Sequence, residues 1–246
     1  MPEGPSIVIL KEELKPFTNK KVIGVNGNSK IDLNRLANKK ILHFKSWGKH
    51  LLICFDNFFL RIHMLMWGTY RINEKKEALP RLSLKFKNGE INFYSCSIRL
   101  VEGSAEDVYD WETDIMSSKW KNSKALKALK RLENVQVCDA LLNQEIFSGV
   151  GNIIKNEVLF RIRMHPGSMV NCLPSKKLNE LVKETYTYSH QFYEWKKSFV
   201  LKKHWLIYKK KICPRCNIKT TVAYLGKTNR LTCFCSNCQK LYSACE

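Results

Sequence analysis

The sequence predicts an α+β fold in three consecutive parts, and three observations carry that reading. Short strand-like runs follow one another at close intervals between about residues 20 and 102, helical periodicity takes over from about residue 123 to 200, and two cysteine knuckles bracket a hairpin near the C-terminus. With 246 residues, 44% of them hydrophobic, the chain can bury one large core or two compact ones, which excludes a disordered protein.

The chain opens on a short loop leading into a helix, because Ile7, Leu10 and Leu14 recur at helical spacing within residues 6–14. Residues 40–44 and 49–55 then read as strands, followed by 58–62, 82–86 and 91–94. Asp56-Asn57 and Asn88-Gly89 punctuate them as turns. This spacing predicts an antiparallel sandwich or barrel.

Residues 102–123 become acidic (Glu102, Glu106, Asp107) and then polar (Ser117, Ser118, Asn122, Ser123), which places a linker there. Beyond it Ala125, Leu126, Ala128, Leu129 and Leu132 form an amphipathic face, and residues 137–142 and 153–160 read as two further helices. Between those two lies Phe147-Ser148-Gly149-Val150-Gly151-Asn152, whose paired glycines fit a tight turn with backbone open to a ligand. Residues 178–200 make another helix, after Pro166-Gly167 and Pro174.

Cys213-Pro214-Arg215-Cys216 and Cys235-Ser236-Asn237-Cys238 are CxxC knuckles separated by 18 residues. Each brings two thiolates within reach of one tetrahedral ion, and residues 220–234, with Gly226 in the middle, suit a β-hairpin. Cys233 shares a strand face with Cys235 and competes for its place, but only Cys235 forms a CxxC with Cys238. The assigned ligands are therefore Cys213, Cys216, Cys235 and Cys238, around one structural Zn2+, since four thiolates leave no open coordination position. Cys245 completes the six cysteines of the last 34 residues, while Cys54, Cys96, Cys138 and Cys172 are scattered and read as buried thiols in a reducing compartment. The hairpin also carries Lys219, Lys227 and Arg230, and a rigid hairpin can set an arginine against a phosphate or in a DNA groove.

Lys and Arg number 42 against 22 Asp and Glu, a formal charge of +20 that costs self-repulsion unless a polyanion shares the surface. From residue 181 onward there are 13 basic and 3 acidic residues, so half of the surplus lies in the final 66 residues. Nucleic acid is the expected partner, although composition does not separate a DNA enzyme from a ribosomal protein or a transcription factor. No apolar run approaches the roughly 20 residues that cross a bilayer. Met1-Pro2-Glu3-Gly4-Pro5 has neither the basic nor the apolar segment of a signal peptide, so a soluble, intracellular, monomeric protein with no membrane association is expected, in cytoplasm or nucleoid if the source is bacterial.

Pro2 follows the initiator Met, and a small second residue normally allows Met1 to be removed, which would expose a secondary amine beside Glu3. Here the chain resembles the formamidopyrimidine-DNA glycosylase and endonuclease VIII family of base-excision repair enzymes. The resemblance spans nearly the whole length. It rests on Met1-Pro2-Glu3-Gly4-Pro5, on Trp47-Gly48-Lys49-His50-Leu51-Leu52, on residues 63–68, on Leu141-Leu142-Asn143-Gln144 running into Gly149-Val150-Gly151-Asn152-Ile153 and Glu157, and on the cysteine knuckles followed by Gln239-Lys240. Gly4, and a 94–99 stretch without the arginine-rich loop of the oxidised-purine enzymes, make it look closer to endonuclease VIII. Ser6 stands where many relatives carry an acid, and Asn143 and Glu145 depart from the family's usual residues.

The resemblance implies a β-sandwich catalytic domain flanked by helices (residues 1–115), a helix-two-turn-helix DNA-binding domain (120–208) and a zinc-finger hairpin (209–246). It implies a bifunctional DNA glycosylase and apurinic/apyrimidinic lyase acting on damaged DNA, duplex or single-stranded, with oxidised pyrimidines as the expected lesions. Pro2 would be the nucleophile that forms a Schiff base, Glu3 the general acid and base, and Lys49 the ligand of the phosphate beside the lesion. An α-amine titrates near ~8 and a lysine near ~10.4, so a useful fraction of such an amine is unprotonated at neutral pH. Glu3 is expected to have a raised pKa in the DNA complex. Met66, ahead of Leu65 and Trp67, would be the wedge that fills the gap left by the flipped nucleotide. Asn152 and Arg230 would hold phosphates, and Glu157 would lie near the active site or stabilise the helical part. The rival reading is a non-catalytic, zinc-containing nucleic-acid binder that recognises damaged DNA, and a ribosome-associated zinc protein is a third.

Overall fold

A computed structural model describes residues 2–243, so Cys245 lies outside the described residues. The chain forms two compact units that divide between Asp110 and Trp111.

The first unit begins with helix α1 (Gly4–Glu13), which Pro5 starts because its fixed φ suits a first helical turn. Eight strands follow: β1 (Gly24–Asn26), β2 (His43–Trp47), β3 (His50–Cys54), β4 (Phe58–His63), β5 (Thr69–Ile72), β6 (Leu82–Phe86), β7 (Gly89–Tyr94) and β8 (Ser97–Glu102). They make two antiparallel four-stranded sheets, ordered β1-β6-β7-β5 and β2-β3-β4-β8. Leu51, Ile53, Leu60 and Ile62 of one sheet and Leu82, Leu84, Ile91 and Phe93 of the other share a single buried cluster, with Ile7, Leu10 and Leu14 of the N-terminal segment. The predicted sandwich is thus present.

Strands β1, β5 and β8 escaped the sequence reading, and their composition explains why. The first has only three residues, the second is half-exposed Thr-Tyr-Arg-Ile, and in the third Arg99 and Glu102 interrupt the apolar pattern. The run at 40–44 enters the sheet late, at His43, because Ile41 is buried in the core before the ladder begins. The stretch read as a linker also carries a short helix, α2 (Ala105–Val108), capped by the Ser104 hydroxyl accepting from the Glu106 N–H at 3.1 Å.

The second unit contains α3 (Asn122–Leu129), α4 (Val137–Ala140), α5 (Asn152–Arg161), α6 (Ser175–Lys197) and the hairpin β9 (Thr221–Leu225) with β10 (Arg230–Phe234). Every residue of α5 from Ile154 to Phe160 is buried, so this helix is the keel of the unit. It packs against α6 on one side and β10 on another. Cys54 is half-buried, and Cys96 and Cys138 are buried; burial pushes all three thiols up to about 11. Cys172 departs from the reading as a buried thiol: it is half-buried and disulfide-bonded. Among the described residues, no helix is long and apolar enough to cross a membrane.

Candidate functional site

In the first unit, Pro2 and Glu3 lead directly into α1. Pro2 is half-buried, while Glu3 is buried in extended backbone (φ −108°, ψ 170°), and its carbonyl accepts from the Ser6 N–H at 2.8 Å. This buried carboxyl lies one residue from a nucleophile candidate, and Gly4 and Pro5, which open α1 after it, are themselves buried. Helix α1 packs on β2 and β3, the hairpin whose turn carries Lys49. Gly48 takes φ +53° there, which a two-residue hairpin turn requires at its first position, and Lys49 follows it.

The surroundings of Lys49 are cationic and aromatic. Trp47 stacks on Tyr109 at 4.7 Å between ring centroids and on His50 at 5.8 Å, and His50 meets the His63 edge at 5.3 Å. Burial first, and then the charges of His63, Arg61 and Lys49, hold His50 down at about 4; burial and then Lys49 and Arg61 also lower His63. Both imidazoles are therefore neutral at pH 7, so the positive charge at this turn rests on lysine and arginine.

Residues 64–68 connect β4 to β5 as a tight loop. Met64 is buried, and its carbonyl accepts from the Gly68 N–H at 2.7 Å; a Cβ at Gly68 would meet that oxygen at 1.9 Å, so only glycine closes the loop. Leu65, Met66 and Trp67 then project between the two anchors with 43%, 51% and 80% exposure. All three wedge candidates are presented to solvent. Trp67 is the most exposed, ahead of the Met66 that sequence reasoning preferred.

In the second unit, Gly149 takes φ +100° and Gly151 caps α5, so that Asn152 is its first residue. The side chain of Gln144 staples this loop, with Oε1 accepting from Gly149 N–H at 3.1 Å and Nε2 donating to the carbonyls of Leu142 and Val150 at 2.8 and 3.1 Å. Asn152 donates one amide hydrogen to the Leu231 carbonyl at 2.8 Å, which leaves its second for another acceptor. Glu157 is buried, and its carboxylate accepts the N–H groups of Leu206, Ile207 and Tyr208 at 2.9, 3.0 and 2.8 Å, which occupies it in holding the segment before the cysteine hairpin.

The thiol sulfurs of Cys213, Cys216, Cys235 and Cys238 all lie within 4.8 Å of one another, and Cys213 to Cys238 measures 3.8 Å. A tetrahedral ion with Zn–S bonds of roughly 2.3 Å would space its sulfurs by about 3.8 Å, so the donor set and size fit zinc. Burial, then hydrogen bonding from Cys235, Cys213 and Cys216, pushes the Cys238 thiol up to about 12; a divalent cation supplies the charge that lets such crowded thiols ionise. Cys233 is outside the group. Its backbone N–H donates to Asn156 Oδ1 at 2.6 Å, on the side of the strand that faces α5.

That bond belongs to a clamp that sequence reasoning missed. Asn152, Lys155 and Asn156 of α5 bind the consecutive residues Leu231, Thr232 and Cys233 of β10, with buried Lys155 donating from Nζ to Thr232 Oγ1 at 2.7 Å. At the hairpin tip, Asp139 of α4 accepts from Lys227 N–H, Thr228 N–H and the Thr228 hydroxyl at 2.7, 3.1 and 2.6 Å. Gly226 makes room for it with φ +74°; a Cβ there would come within 2.3 to 2.5 Å of the carboxylate. Between tip and strand sits half-buried Arg230, the first residue of β10.

Two family models match the chain: the formamidopyrimidine-DNA glycosylase N-terminal domain over residues 1–99, and the H2TH domain of the same glycosylase over residues 113–192. Among curated proteins, endonuclease 8-like 3 of Xenopus laevis is 34% identical across 89% of this chain, and endonuclease 8-like 2 of Mus musculus is 36% identical across 69%. The chain spans 38% and 50% of the length of those two relatives. Among solved structures, the Lactococcus lactis formamidopyrimidine DNA glycosylase bound to DNA containing an abasic site superposes with a TM-score of 0.85, at 20% identity, over 97% of this chain and 99% of that one. The same fold therefore carries the Pro2-Glu3 start, the glycine loop before α5 and the four-cysteine hairpin, and the chain belongs to the formamidopyrimidine-DNA glycosylase and endonuclease VIII family.

Proposed function

We propose that this protein is a zinc-containing, bifunctional DNA glycosylase and apurinic/apyrimidinic lyase of base-excision repair that removes oxidised bases, with oxidised pyrimidines as its main substrates. The observation that carries the reading is the N-terminus: an amine candidate at Pro2 with a buried carboxyl beside it, in a chain of this family. Damaged DNA is the partner, and the +20 charge supplies the attraction to it.

In the proposed reaction, the unprotonated Pro2 nitrogen attacks the sugar C1′ of a flipped nucleotide while Glu3 protonates the leaving side, so that the C1′–N bond breaks and the base departs. The ring opens to an iminium between Pro2 and C1′. That cation draws electrons from C2′, a proton is lost there, and the 3′ phosphate leaves in β-elimination; a second loss at the 5′ side gives δ-elimination. Water then releases the sugar remnant and restores the amine. Glu3 carries protons in both directions. Lys49 holds the phosphate beside the lesion, and the loop of Leu65, Met66 and Trp67 fills the vacated stack. Asn152, through its remaining amide hydrogen, and Arg230 hold flanking phosphates. Cys213, Cys216, Cys235 and Cys238 would hold zinc, whose role is to stiffen the hairpin that presents Arg230.

Borohydride trapping on abasic DNA tests the proposal. The zinc-loaded protein with Met1 removed should form a covalent adduct, Pro2→Gly should lose most of it while melting like the parent, and a panel of oxidised pyrimidines and purines should show preference for the former. No adduct from the correctly processed protein would leave a non-catalytic binder in its place.

A further inference from the structure

The C-terminal end of α6 carries a feature that the proposed reaction does not use. The helix closes in a Schellman arrangement, with Phe199 N–H donating to the Lys196 carbonyl at 3.1 Å and Val200 N–H to the Trp195 carbonyl at 2.9 Å. The left-handed position that this motif requires is ordinarily glycine or asparagine; here it is Phe199, at φ +59°. Its ring is 96% exposed, the most exposed of the large hydrophobic side chains described. A bulky residue in that conformation, with its ring in water, is unfavourable on both counts for folding.

The surroundings are cationic. Lys196 and Lys197 precede it and Lys202 and Lys203 follow it, all exposed, and among the described residues no carboxylate pairs with Lys196, Lys202 or Lys203. The tip is also held rigidly: Trp195 and His204 stack in parallel, 4.1 Å apart at 4°, tying the last turn of α6 to the short helix Leu201–His204. An exposed aromatic side chain on this held backbone, with unpaired lysines at neighbouring positions of the chain, matches one chemistry closely, an unpaired nucleobase with phosphates on either side. Duplex DNA fits less well, because its base faces are already stacked. A lipid surface also fits less well, since Phe199 is the one exposed large apolar side chain between Tyr186 and Ile212 and offers little area to insert.

We propose that Phe199, with Lys196, Lys202 and Lys203, is an accessory binding site for single-stranded nucleic acid, separate from the residues assigned to catalysis. One base stacks on the ring while the lysines take the flanking phosphates.

The test uses the full-length zinc-loaded protein and fluorescein-labelled (dT)12, read by anisotropy between 50 and 200 mM salt. Phe199→Gly and Phe199→Asn both suit the left-handed position, so each should melt at or above the parent temperature yet lose about fivefold or more in affinity, the lower end of a base–aromatic stack. Phe199→Tyr should bind as the parent does. Lys202→Gln with Lys203→Gln should flatten the dependence of log Kd on log salt by about 1.4, two phosphates' worth for a single strand. Unchanged (dT)12 affinity in both Phe199→Gly and Phe199→Asn overturns the proposal. So does a lower melting temperature in both, which would give the ring a packing role, or Phe199-dependent binding to phosphatidylserine vesicles without Phe199-dependent binding to (dT)12. Trapping on a short, blunt abasic duplex should be the same in all variants; failure of trapping in the parent would remove the proposed catalysis and leave the (dT)12 result standing.

Discussion

Replacing Asp139 with alanine tests whether the cysteine hairpin is held in place by α4 as well as by the zinc its four thiols are proposed to hold. The carboxylate accepts three hydrogen bonds from the turn, two from backbone N–H groups and one from a hydroxyl. A hydrogen bond to a charged group contributes about 1.5 to 3 kcal/mol, but Lys227 and Thr228 are exposed and water can replace much of what is lost. A net cost of about 2 kcal/mol is expected for docking the tip, or about 30-fold in the docked equilibrium. The bonds from α5 to β10 remain, so the loss should be confined to the turn and to Arg230 beside it. Hydrogen exchange at the Lys227 and Thr228 amides should quicken by up to that factor, the affinity for a duplex with an abasic analogue should fall about tenfold, and zinc content should stay at one per chain. Gly226→Ala, which drives a Cβ against the same carboxylate, should do similar damage, and the double variant should cost less than the two separately. Accelerated exchange with unchanged DNA affinity would refute the claim that the docked tip positions Arg230, and unchanged exchange would refute the clamp.

Two further outcomes follow from the same unit. Arg230→Ala should weaken binding to all duplexes alike and lower the salt slope by about 0.9, with zinc retained; a loss restricted to particular sequences would contradict phosphate binding. Lys155 is buried, and burial pushes its pKa down to about 8 from the ordinary 10.5. The unfolded chain therefore binds more protons between those values, so stability should rise as pH climbs from about 8 to 10.5, and below 8 the penalty is fully in place, on the order of 3 kcal/mol. Lys155→Met should abolish that slope in urea unfolding of the zinc-loaded protein; equal slopes in both proteins would show that another group is responsible.

What the sequence disclosed and what it withheld follow from the range over which each interaction acts. The helices around Leu129, Val158 and Leu181 were readable because burial leaves a local period, and the four-cysteine cluster because two CxxC knuckles state their own geometry. Even the choice between Cys233 and Cys235 was decided by the knuckle. The clamp was unreadable, because its partners lie 77 to 89 residues apart and a polar pair at that separation leaves no periodicity. Asp139 lies inside the predicted 137–142 helix, where nothing local marks its partners in the hairpin turn. Glu157 is read from the resemblance as an acid near the active site or as a stabiliser of the helical part, and its three backbone partners, in a segment some 50 residues away, leave no mark in the sequence around it. The disulfide at Cys172 was missed because an isolated cysteine in a chain full of knuckles reads as a spare thiol.

Helix α5 joins two tasks that the sequence shows only separately. Its first residue, Asn152, is proposed to hold a phosphate, and the same residue together with Lys155 and Asn156 grips β10, the strand that begins with Arg230. Rigid coupling of the two contacts predicts different failures at the tip and at the root of the hairpin. Asn156 takes the buried Cys233 N–H two residues before Cys235, a proposed zinc ligand, so Asn156→Ala leaves a buried amide without a partner, at about 1 to 3 kcal/mol, on the strand that sets the position of that sulfur. Zinc should then be lost to a chelator several-fold faster than from the parent, whereas Asp139→Ala, at the far end of the hairpin, should leave the rate unchanged. Equal rates in the two variants would mean that the metal and the clamp hold the hairpin independently, and that the backbone of β10 transmits nothing between them.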